Sequence, residues 1–188
     1  MKQFVYLVTE GVLDVVFLTQ VLRQQFSLAL IDQQSDLPHE AAQWLADTSR
    51  WPVRGNIARR AVPAPAFLQS EGTFVGIRSA EGLPKVRLTV DADHIAFGHV
   101  NWQPAAVGII FDADSGPPDT RFSDFADVLA DNGHPRPQGL DSVARVGERR
   151  AGVFAFPGRG CAGSLEDLLV PLASARFPKL TAHAGRYV

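Results

Sequence analysis

A chain of 188 residues, 46% hydrophobic and 20% charged, has the composition of a globular protein and is long enough to bury a core. Its formal net charge of −2 excludes a globally basic surface that would attract a polyanion, and its single cysteine excludes an internal disulfide framework. No apolar run approaches the roughly 20 residues that span a bilayer, and the N-terminus lacks the pattern of a signal peptide. We therefore expect one cytoplasmic domain over residues 1–188.

The N-terminal half predicts two strands separated by helical and irregular segments. In chain order these are a strand at residues 3–8, a helix opening at Asp14, a helix from about residue 38 to 46 and a strand at 73–78. Residues 36–70 are rich in proline and tryptophan, and we interpret them beyond the helix as an irregular insertion. A basic cluster in it, Arg54, Arg59 and Arg60, is either a solvated face or a contact for a phosphate backbone.

The C-terminal half predicts two further strands, each followed by a helix. The segment at residues 83–97 fits both a strand and a helix, and we favour the helix because the apolar strand at 105–111 needs a crossover before it. The remaining predictions are a helix at 119–129, a loop at 134–148, a strand at 152–156, a glycine-rich turn at 157–163 and a helix at 164–172. This alternation predicts an α/β fold with a mainly parallel central sheet flanked by helices.

Acidic residues follow three of the predicted strands. Glu10 follows the first strand, Asp112 and Asp114 follow the strand at 105–111, and Glu166 and Asp167 come after the glycine-rich turn. In an open parallel sheet, ligands bind in the crevice at the carboxyl ends of the strands. Carboxylates that converge there repel one another unless a divalent cation neutralises them. The sequence therefore predicts a site for Mg²⁺ or Mn²⁺.

Three stretches carry a resemblance to the Toprim domain, and the chain most resembles small stand-alone Toprim-like proteins related to OLD-family nucleases. They read TEGVLD (9–14), IIFDAD (109–114) and GSLEDLL (163–169). The resemblance implies a Toprim-like α/β fold with an insertion at about residues 36–70. It also implies that Glu10 is a general acid/base or a metal ligand, that Asp112 and Asp114 bind Mg²⁺, and that Glu166 completes a second metal position. Asp14 would be a supporting carboxylate.

Several of these residues have a structural interpretation beside the functional one. Asp14 can stabilise the N-terminus of the first helix, and Asp167 forms with Ser164 the spacing of a capping box, which we favour over a metal ligand. A second Asp-Ala-Asp, at Asp91 and Asp93, lies in the predicted helix, where residues two apart point about 200° apart. We therefore expect Asp91→Ala with Asp93→Ala to leave the binding of Mg²⁺ or Mn²⁺ nearly unchanged.

Three functions remain open from the sequence. The first is metal-dependent hydrolysis or transfer of phosphodiesters on nucleic acid, with a separate ATPase as a possible partner. The second is a phosphatase resembling the haloacid dehalogenases, with Asp112 as the nucleophile and Asp114 as the general acid. The third is a non-catalytic Toprim-like module that binds metal or nucleic acid.

Overall fold

The computed structural model describes residues 2–48, 65–114, 119–158 and 160–179. Within these ranges the strands are β1 (Gln3–Thr9), β2 (Ala29–Ile31), β3 (Ala66–Gln69), β4 (Thr73–Ser79), β5 (Ala106–Asp112), β6 (Val143–Val146) and β7 (Arg149–Phe156). The helices are α1 (Val12–Phe26), α2 (His39–Thr48), α3 (Val86–His99), α4 (Asp119–Asp131) and α5 (Leu165–Arg176). Short 3₁₀ turns cover Gln34–Asp36 and Leu83–Lys85.

The strands form a mixed sheet in the order β2-β3-β4-β1-β5-β7-β6. The central strands β4, β1, β5 and β7 are parallel to one another, while β3 and β6 pair antiparallel with β4 and β7 on the two sides of them. The pairing of β2 with β3 is also antiparallel, so β2 runs in the direction of the central strands. The predicted α/β fold with a mainly parallel central sheet is confirmed.

Helices cover the two faces of the sheet unequally. The larger core lies between the sheet and the helices α2, α3 and α4, and aromatic side chains dominate it, among them Phe4, Tyr6, Trp44 and Phe97. On the opposite face, α1 packs against β3 and β4, and the first turn of α5 packs against β5 and β7. Over the described residues, no helix is both long enough and apolar enough to cross a membrane.

The structure corrects the sequence interpretation at three short strands at or near the edges of the sheet. Residues 134–148 were predicted as a loop, but Val143–Val146 form β6, a largely exposed strand with no apolar alternation to reveal it. Likewise, β2 and β3 were not predicted, and β3 lies within the segment interpreted as irregular. The ambiguous segment is the helix α3, as predicted. The cluster of Arg54, Arg59 and Arg60 lies outside the described residues.

Candidate functional site

The parallel pairing of β1 with β5 brings Glu10 beside Asp112. Thr9 is in register with Ile110, and the Glu10 N–H continues the ladder by donating to the Ile110 carbonyl at 3.1 Å. The carboxylate of Glu10 then reaches across to the next strand, where its Oε2 accepts from the Asp112 N–H at 3.3 Å. On the other side, the Gly82 N–H donates to the Glu10 carbonyl at 2.9 Å. Glu10 is thus held on both sides at the carboxyl edge of the sheet.

Asp112 joins this edge to the first turn of α5. Its Oδ1 accepts from the Leu165 N–H at 2.9 Å, so the helix N-terminus directs a backbone donor at the carboxylate. Burial raises the pKa of Asp112 despite this hydrogen bond, and the charges of Glu166, Asp114 and Asp167 raise it further. The acids that follow β5 and β7 therefore lie close enough to Asp112 for their charges to act on its carboxylate.

Asp114 is held by its backbone and by a cation. It lies in the left-handed region with φ of 53° and exchanges two backbone hydrogen bonds with Gly163, at 2.8 and 2.6 Å. Gly163 has a φ of 130°, a backbone conformation that residues with a side chain rarely adopt, so this turn requires glycine. Arg121, in α4, donates through Nη1 to Asp114 Oδ2 at 2.8 Å and to the Asp112 carbonyl at 3.2 Å.

Asp14 is a buried carboxylate behind the edge. It accepts from the Gly11 N–H at 2.8 Å, and the helix α1 begins after Gly11, so the predicted role at the helix N-terminus is confirmed. Burial raises the pKa of Asp14 to about 6, and the negative charges of Asp112, Glu10 and Glu166 add to the rise. The Asp14 carboxylate therefore caps helix α1, and its pKa responds to the charges of the acids at the sheet edge.

Negative charge at this edge exceeds the positive charge placed beside it. The pKa of Glu10 is raised by burial and by the charges of Asp112 and Asp114, whereas Arg121 lowers it. A raised pKa in three neighbouring carboxylates means that their ionised forms are poorly stabilised in this environment. A cation bound at the edge would relieve that repulsion.

The acids of α5 differ in their contacts. Asp167 accepts from the Ser164 N–H at 2.8 Å, which confirms its prediction as a cap. Glu166 is exposed, and its charge acts on Asp112 and Asp14. The structure thus brings all six predicted acids to one region, with Asp167 already committed to the helix terminus.

The donor chemistry of this edge fits Mg²⁺ or Mn²⁺, because both are hard cations that take carboxylate oxygens. Over the parts of the chain that the structure describes, however, no three histidine, cysteine, aspartate or glutamate side chains are grouped as they stand to hold a metal ion. Closing the carboxylates around an ion would require side-chain movement, and an ion held by Asp114 would compete with Arg121 for its carboxylate. Glu10, Asp112, Asp114 and Glu166 are the residues that would hold it.

The other Asp-Ala-Asp is part of the architecture. Asp93 is fully buried and forms an ion pair with Arg78 and hydrogen bonds with Tyr6 and Trp44. Asp91 instead accepts from Asn132 at 2.7 Å. The two carboxylates diverge as the helical spacing predicts. Replacing both by alanine, which we expect to leave Mg²⁺ or Mn²⁺ binding nearly unchanged, would also remove the buried partner of Arg78.

Sequence reasoning missed three groups at the edge: Arg121, the Leu165 N–H and Gly163. The sequence offers one indication of Arg121, because it is the first basic residue after Asp112 and Asp114. The other two act through the backbone and only become visible once β5 and α5 are placed together. Arg159, in the glycine-rich turn, lies outside the described residues.

Comparison with known protein families and with curated proteins finds no match to this chain. Among solved structures, the chain is similar to a hypothetical protein from Pyrococcus horikoshii OT3, whose crystal structure aligns with a TM-score of 0.57 at 16% identity. The alignment covers 97% of this chain and 75% of the other. At that identity the likeness shows a shared fold, which is again α/β.

Proposed function

We propose that this protein carries out metal-dependent hydrolysis or transfer of phosphodiesters on nucleic acid, in the manner of a Toprim nuclease, with Mg²⁺ or Mn²⁺ as cofactor. The observation that carries the proposal is the hydrogen bond from the Asp112 N–H to the Glu10 carboxylate. It fixes acids from two separate motifs at the carboxyl edge of adjacent parallel strands, where α/β proteins bind ligands.

The position of each residue at the sheet edge suggests its role in the proposed reaction. Glu10, Asp112, Asp114 and Glu166 would hold the cation, and Asp14 would support them from behind α1. When bound, a divalent cation supplies electrostatic stabilisation of a phosphate and activation of water. Arg121, freed from Asp114, would be placed to contact a phosphate oxygen, since a guanidinium matches phosphate geometry.

The contacts favour this proposal over the phosphatase with Asp112 as nucleophile. That alternative gives no role to Glu10, although Glu10 is the acid held closest to the Asp112 backbone. The formal net charge of −2 also favours a partner in the cell, because the overall charge of the isolated chain would not attract the phosphate backbone of a nucleic acid. A separate ATPase is the partner that we propose.

The proposal predicts that Asp112→Asn with Asp114→Asn eliminates Mn²⁺ binding, because the substitutions remove two anionic oxygen donors while preserving side-chain size. Calorimetric titration measures this binding. Asp32→Asn with Glu71→Gln is the matched control, since both acids are exposed, the charge change is the same, and Glu71 precedes β4 at the opposite edge of the sheet. Equal loss of binding in both double variants would contradict the assignment of the site.

The same proposal predicts that Glu10→Gln reduces Mn²⁺-dependent cleavage of DNA or RNA by about 10³-fold or more, comparable to the loss of an essential catalytic group. Glu71→Gln should cleave normally. A phosphomonoester assayed in parallel separates the phosphatase, which would cleave it in preference to nucleic acid. Metal binding without cleavage of any substrate would instead support a non-catalytic module.

A further inference from the structure

The chain that leaves helix α4 is fastened to two other elements through three consecutive residues. The side-chain amide of Asn132 donates to Asp91 of α3 at 2.7 Å, and Nη1 of Arg149, in β7, donates to the Gly133 carbonyl at 2.9 Å. His134 follows, and its N–H and that of Gly133 donate to carbonyls of the last turn of α4. We call these three residues the α4 junction, since α3, α4 and the hairpin of β6 and β7 meet there.

The side chain of His134 is buried at this junction against a second histidine. His134 is 9% exposed, and its ring packs at 84° to that of His94 in α3, with 5.9 Å between the ring centroids. In both rings Nδ1 is shielded from solvent and has no hydrogen-bond partner among the described residues. A protonated imidazole donates from both of its nitrogens. A proton on either Nδ1 would therefore be a buried donor without an acceptor, which costs free energy.

The charges around His134 also oppose a proton on its ring. Burial lowers the pKa of His134 from its ordinary value of 6.5 to about 4, and the charges of His94 and Arg149 add to this effect. The acids on the neighbouring elements are paired with other cations, as Asp131–Arg87, Asp127–Arg136 and Glu148–Arg145. The α4 junction thus surrounds a histidine with cationic groups and leaves its charged form without a partner.

We propose that the α4 junction is an acid-sensitive joint, in which proton uptake by the His134 ring releases the end of α4 from α3 and from the hairpin of β6 and β7. The closed joint excludes the proton, whereas the opened joint exposes the ring and binds it. Because the pKa of His134 is lowered in the closed joint, closure is fully favoured above about pH 6.5 and weakens as the pH falls toward 4. The inference does not depend on the proposed nuclease activity.

Hydrogen–deuterium exchange of the full chain at pH 7.5 and at pH 5 tests the proposal, once the rates are corrected for the intrinsic effect of pH. We expect the opening equilibrium at the N–H groups of Gly133 and His134 to rise by about 30-fold at pH 5, since pKa values of 6.5 in the open joint and about 4 in the closed joint give that ratio. The hydrogen-bonded N–H groups of β1, in the centre of the sheet, should change much less and show that the opening is local.

His134→Gln should remove this rise, because glutamine takes up no proton. His99→Gln is the matched control and should keep the rise, since His99 is exposed on the same helix as His94. Circular dichroism at pH 7.5 verifies that both variants are folded. A rise that persists in His134→Gln, or an equal rise in β1, would overturn the proposal. An NMR titration of the wild-type chain in which the His134 ring shows its ordinary pKa of 6.5 would also overturn it, and this measurement does not depend on the folding of a variant.

Discussion

At the scale of the residue, Asp14 is buried among acids and makes the stability of the folded protein depend on pH. The pKa of its carboxyl is about 6 in the folded protein, above the ordinary value of 3.8. Between these values the folded state binds a proton that the unfolded state has released. The contribution of Asp14 to the free energy of unfolding is therefore full below about pH 3.8 and falls as the pH rises through 6.

We expect Asp14→Asn to stabilise the metal-free protein above pH 6 by up to about 3 kcal/mol, because the amide keeps an acceptor for the Gly11 N–H but carries no charge. Below pH 4 the variant and the wild type should be equally stable. Urea unfolding at several pH values measures the difference. A constant difference across the range would show that the charge of Asp14 is not its cause.

At the scale of the element, the start of α4 is fastened to the end of β5 by Arg121. The guanidinium holds both the carboxylate of Asp114 and the carbonyl of Asp112, so it occupies a position where a metal ion would compete with it. The pairing thus links the placement of one helix to the proposed metal site.

We expect Arg121→Gln to strengthen Mn²⁺ binding by about 30-fold, because removing a unit charge from about 4 Å of a divalent ion changes the interaction energy by roughly 2 kcal/mol in water. Arg121→Lys should bind nearly as the wild type does. Calorimetry measures both, with Arg87→Gln as the control, since Arg87 forms an exposed ion pair with Asp131 elsewhere. Weaker binding in Arg121→Gln would show instead that the arginine organises the site.

At the scale of the whole molecule, Asp93 joins two strands and two helices through one buried carboxylate. Its partners are Tyr6 of β1, Arg78 of β4 and Trp44 of α2, while Asp93 itself lies on α3. Burial raises the pKa of Asp93, whereas Arg78 and the hydrogen bonds of Tyr6 and Trp44 lower it. The network therefore stabilises a charge that would otherwise be costly in the core.

Replacing Asp93 with alanine should lower the free energy of unfolding by about 3–5 kcal/mol, because Arg78 would lose its buried partner. Such a loss is a large part of the roughly 5–15 kcal/mol that stabilises a typical domain. Asp91→Ala is the control and should cost less than about 1.5 kcal/mol, since its hydrogen bond to Asn132 is only partly buried. Similar melting curves for the two variants would contradict the role given to Asp93.

The sequence by itself determined the order of the main strands and helices. The apolar runs of β1, β5 and β7 and the helical spacing of α1 and α4 carry strong local periodicity, and each was predicted close to its place. It also determined that acids follow β1 and β5, because a buried parallel strand excludes unpaired charge along its length. The short strands β2, β3 and β6, of which β2 and β6 are the edges of the sheet, were missed, since a few residues carry little periodicity.

Only the tertiary structure decided what each acid does. Asp93 and Asp112 stand in identical Asp-Ala-Asp triplets, yet one lies in the core against Arg78 and the other lies at a sheet edge beside Glu10. The difference arises from which elements pack against each carboxylate, since burial and neighbouring charge set its ionisation. The contacts of Arg121 likewise depend on the approach of α4 to the end of β5, which no local pattern specifies.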